Sequence, residues 1–85
     1  MNSNDVLRKY EDSGVKLDIL MLEKHYVLIS GKKDALKFLG ELFLAVAEGR
    51  DSSCHLSPKG AGSIFLLEKS FGIYINKLNE TENTK

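Results

Sequence analysis

Apolar residues change their period along this chain, and each change marks a boundary. Over residues 15–22 they begin by alternating: Val15, Leu17, Ile19 and Met21 share one side of an extended chain and Lys16 and Asp18 the other, the two-residue period of a strand. Residues 25–30 are β-branched and aromatic, a second strand joined to the first by a reverse turn at Glu23-Lys24. Residues 32–48 switch to steps of three and four, with Ala35, Phe38, Leu39, Leu42, Ala45 and Val46 on one stripe, which predicts a helix. Ser30 or Gly31 is placed to cap it, Asp34 suits the positive end of its dipole, and Gly49 reads as a left-handed stop. Strand patterns return at 53–57, 63–68 and 71–78, separated by a loop at 58–62 and a tight turn at 68–70.

The expected fold is therefore α+β in two layers, one α-helix packed on an antiparallel sheet of four or five strands, in the order β-β-α-β-β-β. Residues 14–78 form the single domain. Residues 1–13 make a polar N-terminal arm or a short helical turn, with only Val6, Leu7 and Tyr10 as anchors, and residues 79–85, which carry no apolar side chain, make a disordered tail.

Both sheet faces carry apolar residues. Leu20, Leu22, Tyr26, Leu28, Phe65 and Leu67 oppose Ile19, Met21, Val27, Ile29, Ile64 and Leu66, whereas one helix covers one face. The helix repeats the excess. Leu36, Phe43 and Ala47, with Gly40 beside them, widen its apolar arc to roughly 200°, against about 100° for a one-sided helix, and Leu44 falls among charged neighbours. These five helix residues are the expected contacts with a second copy or another protein.

Composition narrows the classes. Eighty-five residues with 42% hydrophobic and 28% charged positions suit one globular domain. Twelve basic residues balance twelve acidic ones, and no basic run exceeds two residues, as at Lys32-Lys33, so no nucleic-acid partner is expected. No segment has the length of apolar chain that a membrane span or a signal peptide needs, and the single cysteine allows no internal disulfide, so a cytoplasmic protein without a membrane partner is expected.

Candidate chemistry is sparse. His25, Cys54 and His55 are the only soft ligands and lack metal-site spacing, while Cys54 and His55, being adjacent, point to opposite faces of a strand. No metal, no cofactor and no catalytic residue is assigned. Cys54 reads as a small buried apolar residue and His55 as a solvent-facing one. The glycines at 60 and 62 and at 31 lack the Lys-Ser/Thr ending of a nucleotide loop and read as turn and cap residues.

Residues 31–49, with leucines at helical spacing ending on Ala47 and Gly49, followed by His55, Leu56 and Pro58 and a closing pair of strands, resemble a family of small α+β immunity proteins from bacterial polymorphic-toxin systems. The resemblance spans roughly residues 25–78. It implies a non-catalytic inhibitor that binds a cognate toxin in the cytosol of the producing cell. Anchors for such a partner would be Tyr26, His55, Phe65 and Tyr74, with Asp18, Glu23, Glu41 and Glu68 as rim charges. The competing reading is a small homodimeric ligand-binding or regulatory protein, of the kind carried by mobile genetic elements, whose second sheet face forms the interface.

Overall fold

The computed structural model of the chain describes residues 2–79. The disordered tail expected at 79–85 lies outside the described residues except for Asn79. The architecture is α+β, with two helices and two antiparallel sheets of two strands each, in place of one helix on a sheet of four or five strands.

At the N-terminus, the segment expected as an arm or a short helical turn forms the eight-residue helix α1 (Ser3–Tyr10). Asn2 and Asp5 build a reciprocal capping box: the Asp5 N–H donates to the Asn2 side chain and the Asn2 N–H to the Asp5 carboxylate, both at 3.0 Å. Val6, Leu7 and Tyr10 then share a face, and Val6 is wholly buried. Ser3 anchors the helix start, its N–H and hydroxyl both donating to Asp51 Oδ2 at 2.8 and 2.7 Å.

Strands β1 (Leu17–Glu23) and β2 (Tyr26–Gly31) form the expected hairpin, turning at Lys24 and His25. Register pairs Leu17 with Gly31, Ile19 with Ile29 and Met21 with Val27 on one face, and Asp18 with Ser30 and Leu20 with Leu28 on the other; a bulge follows Met21. Helix α2 (Lys33–Glu48) follows directly, with Lys32 as its N-cap and no capping side chain. A Cβ on Gly31 would lie 2.9 Å from Ala35 Cβ and 3.0 Å from a Leu17 methyl, so the bare backbone there lets the helix settle over both strands. Gly49 ends α2 with φ −87°, extended and not left-handed; its N–H donates to the Ala45 carbonyl at 2.8 Å, and its carbonyl accepts from Lys77 Nζ at 2.8 Å.

After β3 (Ser53–Leu56) the chain makes a single 3-10 turn at Ala61–Ile64 where a strand was expected, and then β4 (Ile73–Asn76) pairs antiparallel with β3. Gly62 must be glycine, because a Cβ there would stand 2.6 Å from the Ser57 nitrogen and 2.7 Å from Leu56 Cβ. The turn brings Phe65 and Leu66, neighbours that a strand would send to opposite faces, both into the core. Residues 65–71 nevertheless bond the outer edge of β1: Leu17 N–H donates to the Phe65 carbonyl (2.7 Å), Leu67 N–H to the Leu17 carbonyl (3.0 Å) and Phe71 N–H to the Ile19 carbonyl (2.8 Å). Ser70, 5% exposed, finishes this seam by accepting the Ile19 N–H on Oγ at 2.8 Å and donating to the Phe71 carbonyl at 3.1 Å.

The core centres on Phe38, stacked on Phe65 with centroids 4.3 Å apart and flanked by Tyr10 at 5.2 Å. Phe38→Ala is expected to cost about 3–5 kcal/mol in urea denaturation, and Ser70→Ala about 1–3 kcal/mol by orphaning the Ile19 N–H. Leu44→Ala, on the outer face of the same helix, should stay within about 0.5 kcal/mol of the parent.

Candidate protein-binding surface

The hairpin determines what the surface offers. On the face toward α2, Leu17 and Ile19 are buried, yet Met21, Val27 and Ile29 on that same face are exposed. Ile29 pairs with the buried Ile19, so the cover fails sideways, toward β2, as well as toward the hairpin tip. Leu28 lies on the opposite face, which no helix covers, and Leu22 and Tyr26 (62% exposed) lie by the bulge at the hairpin tip. All six residues of β2 are exposed, and its outer edge has no strand partner among the described residues.

A second apolar patch runs along α2. Leu36 and Phe43 are each 47% exposed, and at 100° per residue they share a flank with Gly40 and Ala47. The other flank receives α1, where Glu41 takes Lys9 Nζ at 2.6 Å and the Tyr10 hydroxyl. Leu44 projects between the flanks toward solvent. A third patch lies on the second sheet, where His55 and Tyr74 are register partners whose rings stack 5.7 Å apart at 11°, with Tyr74 70% exposed.

The nominated binding residues therefore do not converge on one spot. Tyr26 faces Glu23 across the bulge, and Tyr74 stands beside His55 on a different sheet. Asp18 is half-buried near the root of the hairpin, and Glu68 is exposed in the turn closed by the Ser70 N–H on the Leu67 carbonyl. Phe65 is a core residue, 2% exposed, because the 3-10 turn directs it under Phe38. Glu41 is occupied in holding α1. Ile64, Phe71 and Leu78 are also exposed, although none of them is among the nominated binding residues.

The perturbed titratable groups belong to helix docking. The Ser3 N–H, then its hydroxyl, holds the Asp51 carboxyl below its ordinary range, and Lys9 followed by Tyr10 does the same for Glu41. Glu41 in turn raises both Lys9 and Tyr10. Burial pushes the Cys54 thiol up, which favours the unreactive protonated form. No group of three or more His, Cys, Asp or Glu side chains gathers as a metal set among the described residues. A cleft of about 410 Å³, wide open, lies between Gly14 and the start of α2; Lys16, Lys32 and Asp34 give it mixed charge, and its hydroxyl, Ser13 Oγ, donates to the Tyr10 carbonyl at 2.6 Å. Among the described residues, no helix is long and apolar enough to cross a membrane.

Comparison with protein-family models, with curated proteins and with solved structures finds no match to this chain.

The carboxyl shifts set a pH response. Groups depressed in the folded state contribute stability above the ordinary carboxyl range and lose it as pH falls through their folded values. Amide exchange in α1 should therefore accelerate below about pH 4 before the rest of the core responds, and Asp51→Asn should flatten that acid dependence. On the alkaline side Lys9 and Tyr10 are raised, so their contribution holds below about pH 10 and fades above it.

Proposed function

We propose that this chain is a non-catalytic protein-binding module, and more specifically a cytoplasmic immunity protein that neutralises a cognate bacterial toxin by direct binding. The observation that carries this reading is a ratio. Fourteen large hydrophobic side chains are exposed among the described residues, as many as the fourteen apolar residues that form the core. Each fully buried side chain of this kind contributes about 1.5–3 kcal/mol, so a chain that leaves as many in water as it buries forgoes stability that a partner would supply.

The chemistry of the surface suits protein contact better than catalysis. The carboxylates with shifted proton affinity hold α1 in place, and His25, in the hairpin turn, and His55, on β3, are exposed with no carboxylate bonded to either among the described residues. Tyr74, backed by the His55 ring, presents a broad apolar face with a polar tip, the kind of side chain that anchors interfaces. Glu68 and Glu23 would supply rim charge, steering the encounter more than holding the complex. Inhibition by such a module needs only occlusion of the toxin's working surface.

Co-expression with the toxin encoded beside this gene tests the reading. Growth should be restored by the parent chain, and Tyr74→Asp should weaken the purified complex about 30-fold or more while the circular dichroism spectrum stays unchanged. A chain that neither binds nor protects against that toxin, or the lack of any toxin gene beside it, contradicts the proposal.

A further inference from the structure

We propose that the free edge of β2 and the flank of α2 carrying Leu36, Gly40 and Phe43 form one continuous interface, and that its occupant is a second copy of this chain. This goes beyond the protein-binding reading, because the dimer would exist without any other partner and would leave the His55–Tyr74 face open.

Three arguments select a copy of the chain. The first is the edge itself. β1 is bonded on both sides, by β2 and by residues 65–71, so β2 carries the hairpin's only open ladder among the described residues. Tyr26 to Ser30 contains no charge and no proline, none of the devices that normally keep edges apart. A strand with apolar residues on both faces is also self-complementary. Antiparallel pairing about a two-fold axis normal to the sheet keeps each face continuous only when paired residue numbers sum to an even value. An axis at Leu28 sets Val27 against Ile29 of the second copy on the helix side, with Leu28 against its own copy on the other. An axis at Val27 sets Tyr26 against Leu28 of the second copy.

The second argument is where the helix flank points. Phe38 leans on Phe65, on the side of β1 away from β2, and Glu41 receives α1 on that side too. Leu36, Gly40 and Ala47 lie about 160–200° around the helix from Phe38 and so overlook the β2 edge. At its start α2 rests over both strands, on Gly31 and Leu17. Where it rests over both strands, α2 stands about one strand spacing from an axis on the β2 edge, so its mate would lie about 9–10 Å away, within the usual helix-packing distance. Gly40 fits that approach. A Cβ there would meet nothing within 4 Å inside the chain, so no intramolecular contact requires a glycine in mid-helix.

The third argument is area and charge. Met21, Tyr26, Val27, Leu28, Ile29, Leu36 and Phe43 together expose on the order of 700 Å² per protomer, close to the about 800 Å² per partner of a standard interface. With a formal net charge of zero, two copies carry little mutual repulsion.

Light scattering on the purified chain tests this. The parent should elute at twice its 9.5 kDa mass, while Ile29→Lys and Phe43→Glu should each raise the dissociation constant about 30-fold or more and Tyr74→Asp should leave it unchanged. Because an edge variant can also unfold, a second arm uses the intact surface. Val27→Cys and Leu28→Cys chains, made separately, should give one that forms an intermolecular disulfide under mild oxidation, Cys54 being buried. A parent that is monomeric at every concentration, or a dimer indifferent to both Ile29→Lys and Phe43→Glu, overturns the proposal and leaves the face to the toxin or another occupant. A dimer that fails to protect against the toxin sinks the immunity reading alone.

Discussion

One shortfall of cover governs this molecule: α2 buries Leu17 and Ile19 on one face of the β1–β2 hairpin and leaves Met21, Val27 and Ile29 of that same face in solvent. Leu17 and Ile19 lie under α2, and Met21, one pleat further along the same face, is in solvent. Because side chains alternate along a strand, no change of register would cure this, as a one-residue slip only exchanges one apolar face for the other. The covered end of the hairpin belongs to the core. The overhanging end is apolar chain held in a fixed conformation by its ladder to β1, and so it is already organised for contact.

The rest of the fold compensates for having little helix. Residues 65–71 close the outer edge of β1 without becoming a strand, and Ser70 supplies from a side chain what a regular neighbour would supply from the backbone. α1 covers the Phe38 side through Tyr10 and Val6, and is held by side-chain hydrogen bonds to Asp51 and Glu41. Exposed ion pairs such as Lys9–Glu41 add little by themselves. What they do is register α1 against α2, so that the buried face of a short helix lands where Phe38 and Phe65 need cover. The protected side of α2 is thereby settled, and the opposite flank is left uncovered.

α2 was legible from its long, unbroken period, and the hairpin from the alternation that opens β1 and the β-branched and aromatic run of β2. So was the alternation in β3, where Cys54 and Leu56 are buried and His55 is not. Two elements were less legible. α1 is short and mostly polar, and its start is marked by an Asn2–Asp5 box, not by an apolar stripe. Residues 63–68 are apolar enough for a strand, but Gly62 draws the chain into a tight turn against Leu56, an effect of packing that no local pattern displays. The candidate surface was legible as an excess of apolar residues on both faces of the hairpin and around α2. Which of them are exposed depended on how much of the hairpin α2 covers, and the 3-10 turn at Ala61–Ile64 moved Phe65 inside.

The central claim is that the β2 edge is built to be covered by another copy. Backbone amide exchange at residues 26–31, followed as the chain is concentrated, tests it most directly, because it reads that ladder without altering the sequence. If the account holds, the outward-facing amides of β2 exchange rapidly in dilute solution and become protected on concentration, while the Ile19 amide, already bonded to Ser70, is indifferent. Exchange at 26–31 that stays fast and independent of concentration would contradict it.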